Sequence, residues 1–126
     1  MESSPVYRLG PAAEATLSKA VVRAAGLLGF NQAALAGILG ISRATVSRLF
    51  AGRYLLDPKR PKEWELALLF VRLYRSLDAL VGHGAQGRTW LHGPNDAFGR
   101  PPVEEITTAE GLVRVVQYLD AARGRV

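Results

Sequence analysis

Residues 32 to 49 read Gln-Ala-Ala-Leu-Ala-Gly-Ile-Leu-Gly-Ile-Ser-Arg-Ala-Thr-Val-Ser-Arg-Leu, a spacing that leaves few ways to fold. Two short helices crossing near a right angle need a small residue where they touch, and Ala36 supplies it. The tight turn between them needs a positive φ, which Gly40 adopts at little cost. Leu35, Leu39, Ile41, Val46 and Leu49 fall where the core between the helices must lie. Asn31 and Ser42 are favoured N-caps for the two helices. The pattern predicts a helix-turn-helix, with Arg43, Ala44, Ser47 and Arg48 outward on the second helix and Thr45 at the margin. In such a unit the N-terminal end of the second helix points into the DNA major groove. Arg reads the guanine edge there, while Ser, Thr and backbone N–H groups hold phosphates. The competing reading is an αα-hairpin that binds no DNA. The coincidence of small residue, turn glycine, apolar set, Ser cap and two outward Arg argues against it.

The rest of the chain also reads as helical. Residues 16 to 28 place Leu17, Ala20, Val21, Ala24 and Leu28 on one face, and Gly29 is a natural stop. The run Asp57-Pro58-Lys59-Arg60-Pro61 is turn-like and marks a domain boundary. A longer helix is predicted over 62–81, apolar on nearly every side, which implies burial between domains or against a second subunit. Leu69 and Leu73 are the expected contact points of a dimer. A Gly-rich link at 82–87 then leads to Thr89-Trp90-Leu91, a turn-rich loop at 93–102 and a last helix over 108–122. No segment of real length alternates with period two, so the expected class is all-α. The expected division is an N-terminal arm at 1–15, a helix-turn-helix domain at 16–57 and a helical C-terminal domain at 58–126.

Charge separates the halves. Of the 126 residues, 1–56 carry a net charge of +4, 57–75 carry +2 and 76–126 carry −1. A basic N-terminal half favours a nucleic-acid partner. Apolar residues are 48% of the chain, enough for a packed core, yet the longest apolar run is only six residues, Leu66 to Val71. The first residues carry no signal-peptide pattern, and the absence of Cys excludes disulfides and thiolate zinc sites. These features make a cytoplasmic protein without a membrane span the expectation.

Several other signals carry less. Gly82-His83-Gly84-Ala85-Gln86-Gly87 spells GxGxxG, but it follows a helix and lies in no βαβ unit, so it reads as a link. His83 and His92 have no carboxylate at ligand spacing beside them. Glu104 and Glu105 are adjacent, so their side chains diverge and suit helix-entry charges beside Pro102. Nothing assembles a nucleophile, a base and an orienting group. No catalytic residue, cofactor or metal is expected, and the chain is not expected to be an enzyme.

Gln32, Leu35-Ala36, Gly40-Ile41-Ser42, Thr45-Val46-Ser47 and Gly52 resemble the Xre/Cro-type helix-turn-helix. The resemblance implies that Gln32 holds a phosphate and that Arg43, Ala44 and Arg48 face base edges. The DNA-facing set is then Gln32, Ser42, Arg43, Ala44, Thr45, Ser47, Arg48 and Arg53. Phe50 stands where many members carry an acidic residue, which implies an apolar contact, against the second domain. Trp90-Leu91, Pro94-Asn95, Gly99 to Pro102 and Glu110-Gly111 are similar to the C-terminal toxin-binding domain of Xre/MbcA/ParS antitoxins. That resemblance implies a type II antitoxin whose cognate toxin carries a RES domain and degrades NAD⁺. It also implies a C-terminal tail that enters the toxin's active-site cleft. The implied toxin-binding residues are Trp90, Asn95, Arg123, Gly124, Arg125 and Val126. Arg123, Arg125 and a terminal carboxylate suit a cleft built for an anionic dinucleotide. The expectation is an operon-repressing antitoxin, homodimeric on its operator and within a larger complex with toxin. Its rival is a stand-alone dimeric repressor without a toxin partner.

Overall fold

A computed structural model describes residues 11–82 and 85–124. Among the described residues seven helices run in chain order: α1 (Pro11–Leu28), α2 (Gln32–Leu39), α3 (Arg43–Phe50), α4 (Pro61–Val81), α5 (Ala85–His92), α6 (Pro102–Glu105) and α7 (Ala109–Gly124). No strand occurs among the described residues, and the class is all-α.

The first three helices close one on another through short, well-capped turns. Asn31 Oδ1 accepts from the Ala34 amide at 2.8 Å, and Ser42 Oγ accepts from the Thr45 amide at 3.0 Å. Gly40 ends α2 at φ +70°, and its amide donates to the Ala36 carbonyl at 2.9 Å. The chain bends by 111° between α2 and α3, within the range expected for a helix-turn-helix. Leu35, Leu39, Val46 and Leu49 are buried between them. Phe50 lines a hollow with Ala15, Lys19 and Val22 of α1, so its apolar contact lies within the N-terminal half rather than against the C-terminal one.

The segment 51–60 is tied down at both sides. The Leu56 amide donates to buried Ser18 Oγ of α1 at 3.0 Å. Tyr54 Oη donates to Glu63 Oε2 at 2.5 Å, and Arg60 Nε donates to the same oxygen at 3.0 Å. Burial, then the hydrogen bond to Glu63, raises the Tyr54 phenol above its ordinary value. Asp57 organises the turn, accepting from the Lys59 amide at 2.8 Å, and Pro61 opens α4 where a missing N–H costs nothing.

α4 is the central helix. Its most extensive contact is with α7, and it also packs on α1, α2 and α5. Phe70 and Leu73 are fully buried, and Phe70 meets Phe30 edge-on with ring centroids 5.7 Å apart. One apolar cluster runs from Leu17 through α2, α3 and α4 to Leu119, so both halves share a core.

Three expectations need correction. The first helix begins at Pro11, five residues before the start read from apolar spacing. The expected Gly-rich link is helical from Ala85, and Gly87 packs in α5 where an added Cβ would lie 3.2 Å from a Leu28 methyl. α4 does have an outward polar face: Lys62, Glu65, Leu68, Arg72, Arg75 and Ala79 are exposed at helical spacing. Leu73 therefore fills the chain's own core, and Leu69 is half-buried against it.

Candidate DNA-reading face and toxin-binding half

The caps that fold α3 also present its outer face. Arg43, Ala44, Ser47 and Arg48 are all exposed, Thr45 is half-buried, and Val46 and Leu49 anchor the inner side. Gln32 is exposed at the first turn of α2, and Arg53 is exposed just beyond α3. Ser42 Oγ and Thr45 Oγ1 share a hydrogen bond of 2.8 Å, and Arg48 Nη2 donates to Thr45 Oγ1 at 3.0 Å. This Ser42–Thr45–Arg48 chain spends one of five guanidinium donors and restrains a long side chain before any ligand arrives. The remaining donors suit a bidentate contact to a planar acceptor pair such as guanine O6 and N7.

The C-terminal half is built around a buried carboxylate. Glu105 is only 3% exposed. Its Oε1 accepts from Arg100 Nε at 2.8 Å, and its Oε2 accepts from Arg114 Nε at 2.7 Å as well as from Arg114 Nη2. The guanidinium of Arg100 first, then that of Arg114, holds the Glu105 carboxyl below the ordinary carboxylate value. Sequence spacing suggested exposed helix-entry charges at 104 and 105. Glu104 is exposed, but Glu105 turns inward because arginines five residues earlier and nine residues later close over it. Gly111 lies against this segment so closely that an added Cβ would sit 1.8 Å from the Glu105 carbonyl oxygen. The glycine in the Glu-Gly opening of α7 is thus a packing requirement.

The expected toxin-binding residues fall in different settings. Asn95 is occupied within its own turn: Oδ1 accepts from the Ala97 amide at 2.9 Å, and its carbonyl accepts from the Gly99 amide at 3.0 Å. The half-buried Trp90 ring stacks on Tyr118, centroids 6.3 Å apart, and Tyr118 meets Phe98 edge-on at 5.3 Å. Sequence reasoning missed Phe98 and Tyr118. Tyr118 is a large aromatic off the buried stripe of α7, and that was the available signal. Arg123 Nη1 donates to Ser76 Oγ at 3.1 Å, and Ser76 donates to Asp120 Oδ1 at 2.9 Å, so Arg123 helps hold α7 on α4. Gly124 ends α7 and is exposed. Arg125 and Val126, like residues 1–10, His83 and Gly84, lie outside the described residues.

Among the described residues, no group of three or more acidic or His side chains is placed to hold a metal ion. No single described helix is long and apolar enough to cross a membrane.

Comparison with known families matches both halves. Residues 8–72 match the antitoxin Xre-like helix-turn-helix domain, and residues 76–125 match the antitoxin Xre/MbcA/ParS C-terminal toxin-binding domain. The seam between the two matches falls inside α4. No curated protein matches the chain. With α2 and α3 forming the helix-turn-helix and α5 to α7 forming the partner domain, the chain belongs to the Xre/MbcA/ParS antitoxins, DNA-binding and toxin-binding in one body.

Proposed function

We propose that this chain is a cytoplasmic type II antitoxin that neutralises a RES-domain, NAD⁺-degrading toxin and represses its own operon. The observation that carries the reading is the joining of two surfaces on one core, an exposed arginine-bearing helix-turn-helix face and a toxin-binding domain. Arg43, Ala44 and Arg48 read base edges. Gln32, Ser42, Thr45, Ser47 and Arg53 hold phosphates. The division of labour falls near residue 57. One helix-turn-helix buries too little surface for tight specific binding, and operators mirror a two-fold, so the repressor acts as a homodimer. The chain catalyses no reaction of its own. It inhibits by docking its C-terminal half on the toxin around Trp90 and the 95–99 turn, while the tail after Gly124 occupies the nucleotide cleft and Arg123 stays on Ser76 of α4.

The test is co-expression with the toxin encoded beside it, reading growth and NAD⁺ level. Because Arg123 bonds Ser76, the informative cut is after Gly124, which leaves the α4–α7 contact whole. The expected result is a folded chain that still binds toxin and no longer protects. Full protection by the truncated chain would place inhibition elsewhere. A full-length chain that protects against no neighbouring toxin, yet binds its operator, would be a stand-alone repressor.

A further inference from the structure

Among the large apolar side chains of the described residues, Leu68 is the most exposed, at 48%. It stands on the outer face of α4 at the mouth of a groove of about 690 Å³ between α1 and α4. Ala13, Leu17, Trp64 and Val71 line it with apolar surface. Arg72, Arg75 and Arg123 line it too. Arg72 is paired with Asp120 and Arg123 bonds neutral Ser76, whereas Arg75 has no carboxylate partner among the described residues. None of the DNA-facing residues lines this groove.

The charges on this face are ordered along the helix. The exposed stripe runs Glu65, Leu68, Arg72, Arg75, with acid at its N-terminal end and bases at its C-terminal end. A closed two-fold pairs a surface with itself, and with the axis perpendicular to α4 the two copies of the helix meet antiparallel. Antiparallel pairing centred near residue 70 brings Glu65 opposite Arg75 of the second copy, and Leu68 opposite the aliphatic stem of its Arg72. Each opposition occurs twice by symmetry. Parallel pairing would instead set Glu65 on Glu65 and Arg75 on Arg75.

We propose that the outer face of α4, with the α1–α4 groove, is a self-complementary dimer interface in which Leu68 of each copy seats in the groove of the other and Glu65 pairs with Arg75. This deepens the homodimer of the proposed function and rests on it. It moves the contact from Leu69 and Leu73, which face the chain's own core, to the side of the helix that faces water. The assembly also leaves Arg43 and Arg48 free for DNA.

Sedimentation velocity of the full chain alone, at micromolar concentration, with circular dichroism as the folding control, tests it. Wild type should be a dimer. Leu68→Glu should stay folded, because the side chain is already half in water, and should weaken dimerisation by about tenfold or more. Glu65→Arg and Arg75→Glu should each weaken it by about tenfold, since each places like charges together twice, and the double reversal should restore it to within about threefold of wild type. Restoration needs the two positions to face each other across copies and is not expected of a generally weakened fold. Should Leu68→Glu misfold, the charge reversals decide alone. A monomeric wild type, a dimer indifferent to all variants, or a double reversal no better than the singles would overturn the interface. A monomer whose Leu68→Glu variant loses toxin binding would assign the groove to the toxin instead. No DNA or toxin enters the main measurement, so its failure leaves the antitoxin reading to its own test.

Discussion

Arg88 Nη1 donates a 2.7 Å hydrogen bond to the carbonyl oxygen of Leu27. A side chain of the toxin-binding half thereby caps the last turn of α1 in the helix-turn-helix half, supplying a cation where helix carbonyls are unpaired. The Arg88 stem lies over Gly29, where an added Cβ would sit 2.8 Å from its Cδ. Gly29 also holds φ +80°. α5 thus rests directly on the turn that leads to Asn31 and Gln32.

Arg88→Ala should cost on the order of 1 kcal/mol of global stability, the lower side of a charge-assisted bond because the guanidinium is exposed. Gly29→Ala should cost about 1–2 kcal/mol from its left-handed backbone alone, and Gly29→Asn less. Denaturant unfolding of the three variants checks the order. Equal stability for Gly29→Ala and wild type would show that the turn relaxes freely.

Gly111→Ala is expected to be the more damaging glycine substitution. The obstacle is the backbone carbonyl of Glu105 at 1.8 Å, and a backbone atom cannot swing aside as a long side chain can. Overpacking of this kind costs typically 1–3 kcal/mol. α6 and the start of α7 must separate, so the Arg114–Glu105 contact loosens as well. Thermal unfolding should show a lower Tm for Gly111→Ala than for Gly37→Ala, a helical glycine with no atom within 4 Å of the added Cβ.

Features decided within a few residues were legible before any coordinates. Asn31, Gly40 and Ser42 act on their own neighbours, so the helix-turn-helix and its outward arginines could be placed from spacing alone. Features decided across the fold were not. Gly87 looked like a linker residue because glycine disfavours helices, yet it is there to let α5 approach Leu28 and Leu77. The start of α1 was missed because Pro11-Ala12-Ala13-Glu14-Ala15 is helix-forming without apolar periodicity. α4 looked apolar all round because its six-residue run Leu66 to Val71 masks the exposed Glu65, Leu68 and Arg72 stripe. In the C-terminal half, Trp90 is visible as a candidate, but its partner Tyr118, and Phe98 packed edge-on against Tyr118, come from other elements.

Glu105 should make the fold acid-sensitive in a defined direction. Its carboxyl is held below the ordinary value of 4.5 in the folded chain, so the folded state favours the ionised form. The resulting stability is fully present above about pH 4.5 and is lost as pH falls through the lower folded value. Glu105→Gln should flatten this part of the stability-versus-pH curve, leaving Arg100 without its anion and Arg114 with only the exposed Glu110 at neutral pH. Chemical denaturation from pH 7 to pH 3 reads both effects. An unchanged acid limb in Glu105→Gln would assign the sensitivity to other carboxylates.

On the proposed function, DNA recognition separates arginines that read sequence from residues that hold the backbone. Arg43 and Arg48 are exposed on the outer face of α3, and Arg48 is steered by Thr45 Oγ1 at 3.0 Å. Arg43→Ala and Arg48→Ala should each weaken operator binding by about 1–3 kcal/mol and relax preference at one base position. Arg48→Lys should rescue little, because an ammonium cannot make the fork contact. Thr45→Val should weaken binding less than Arg48→Ala, since it removes the steering bond and the hydroxyl but leaves the guanidinium. Gln32→Ala, at the first turn of α2, should weaken operator and unrelated DNA alike, because a phosphate contact carries no sequence information. Titrations of operator and scrambled duplexes at several salt concentrations distinguish these cases. Arg43→Ala and Arg48→Ala variants that bind the operator as wild type does would remove α3 as the reading helix.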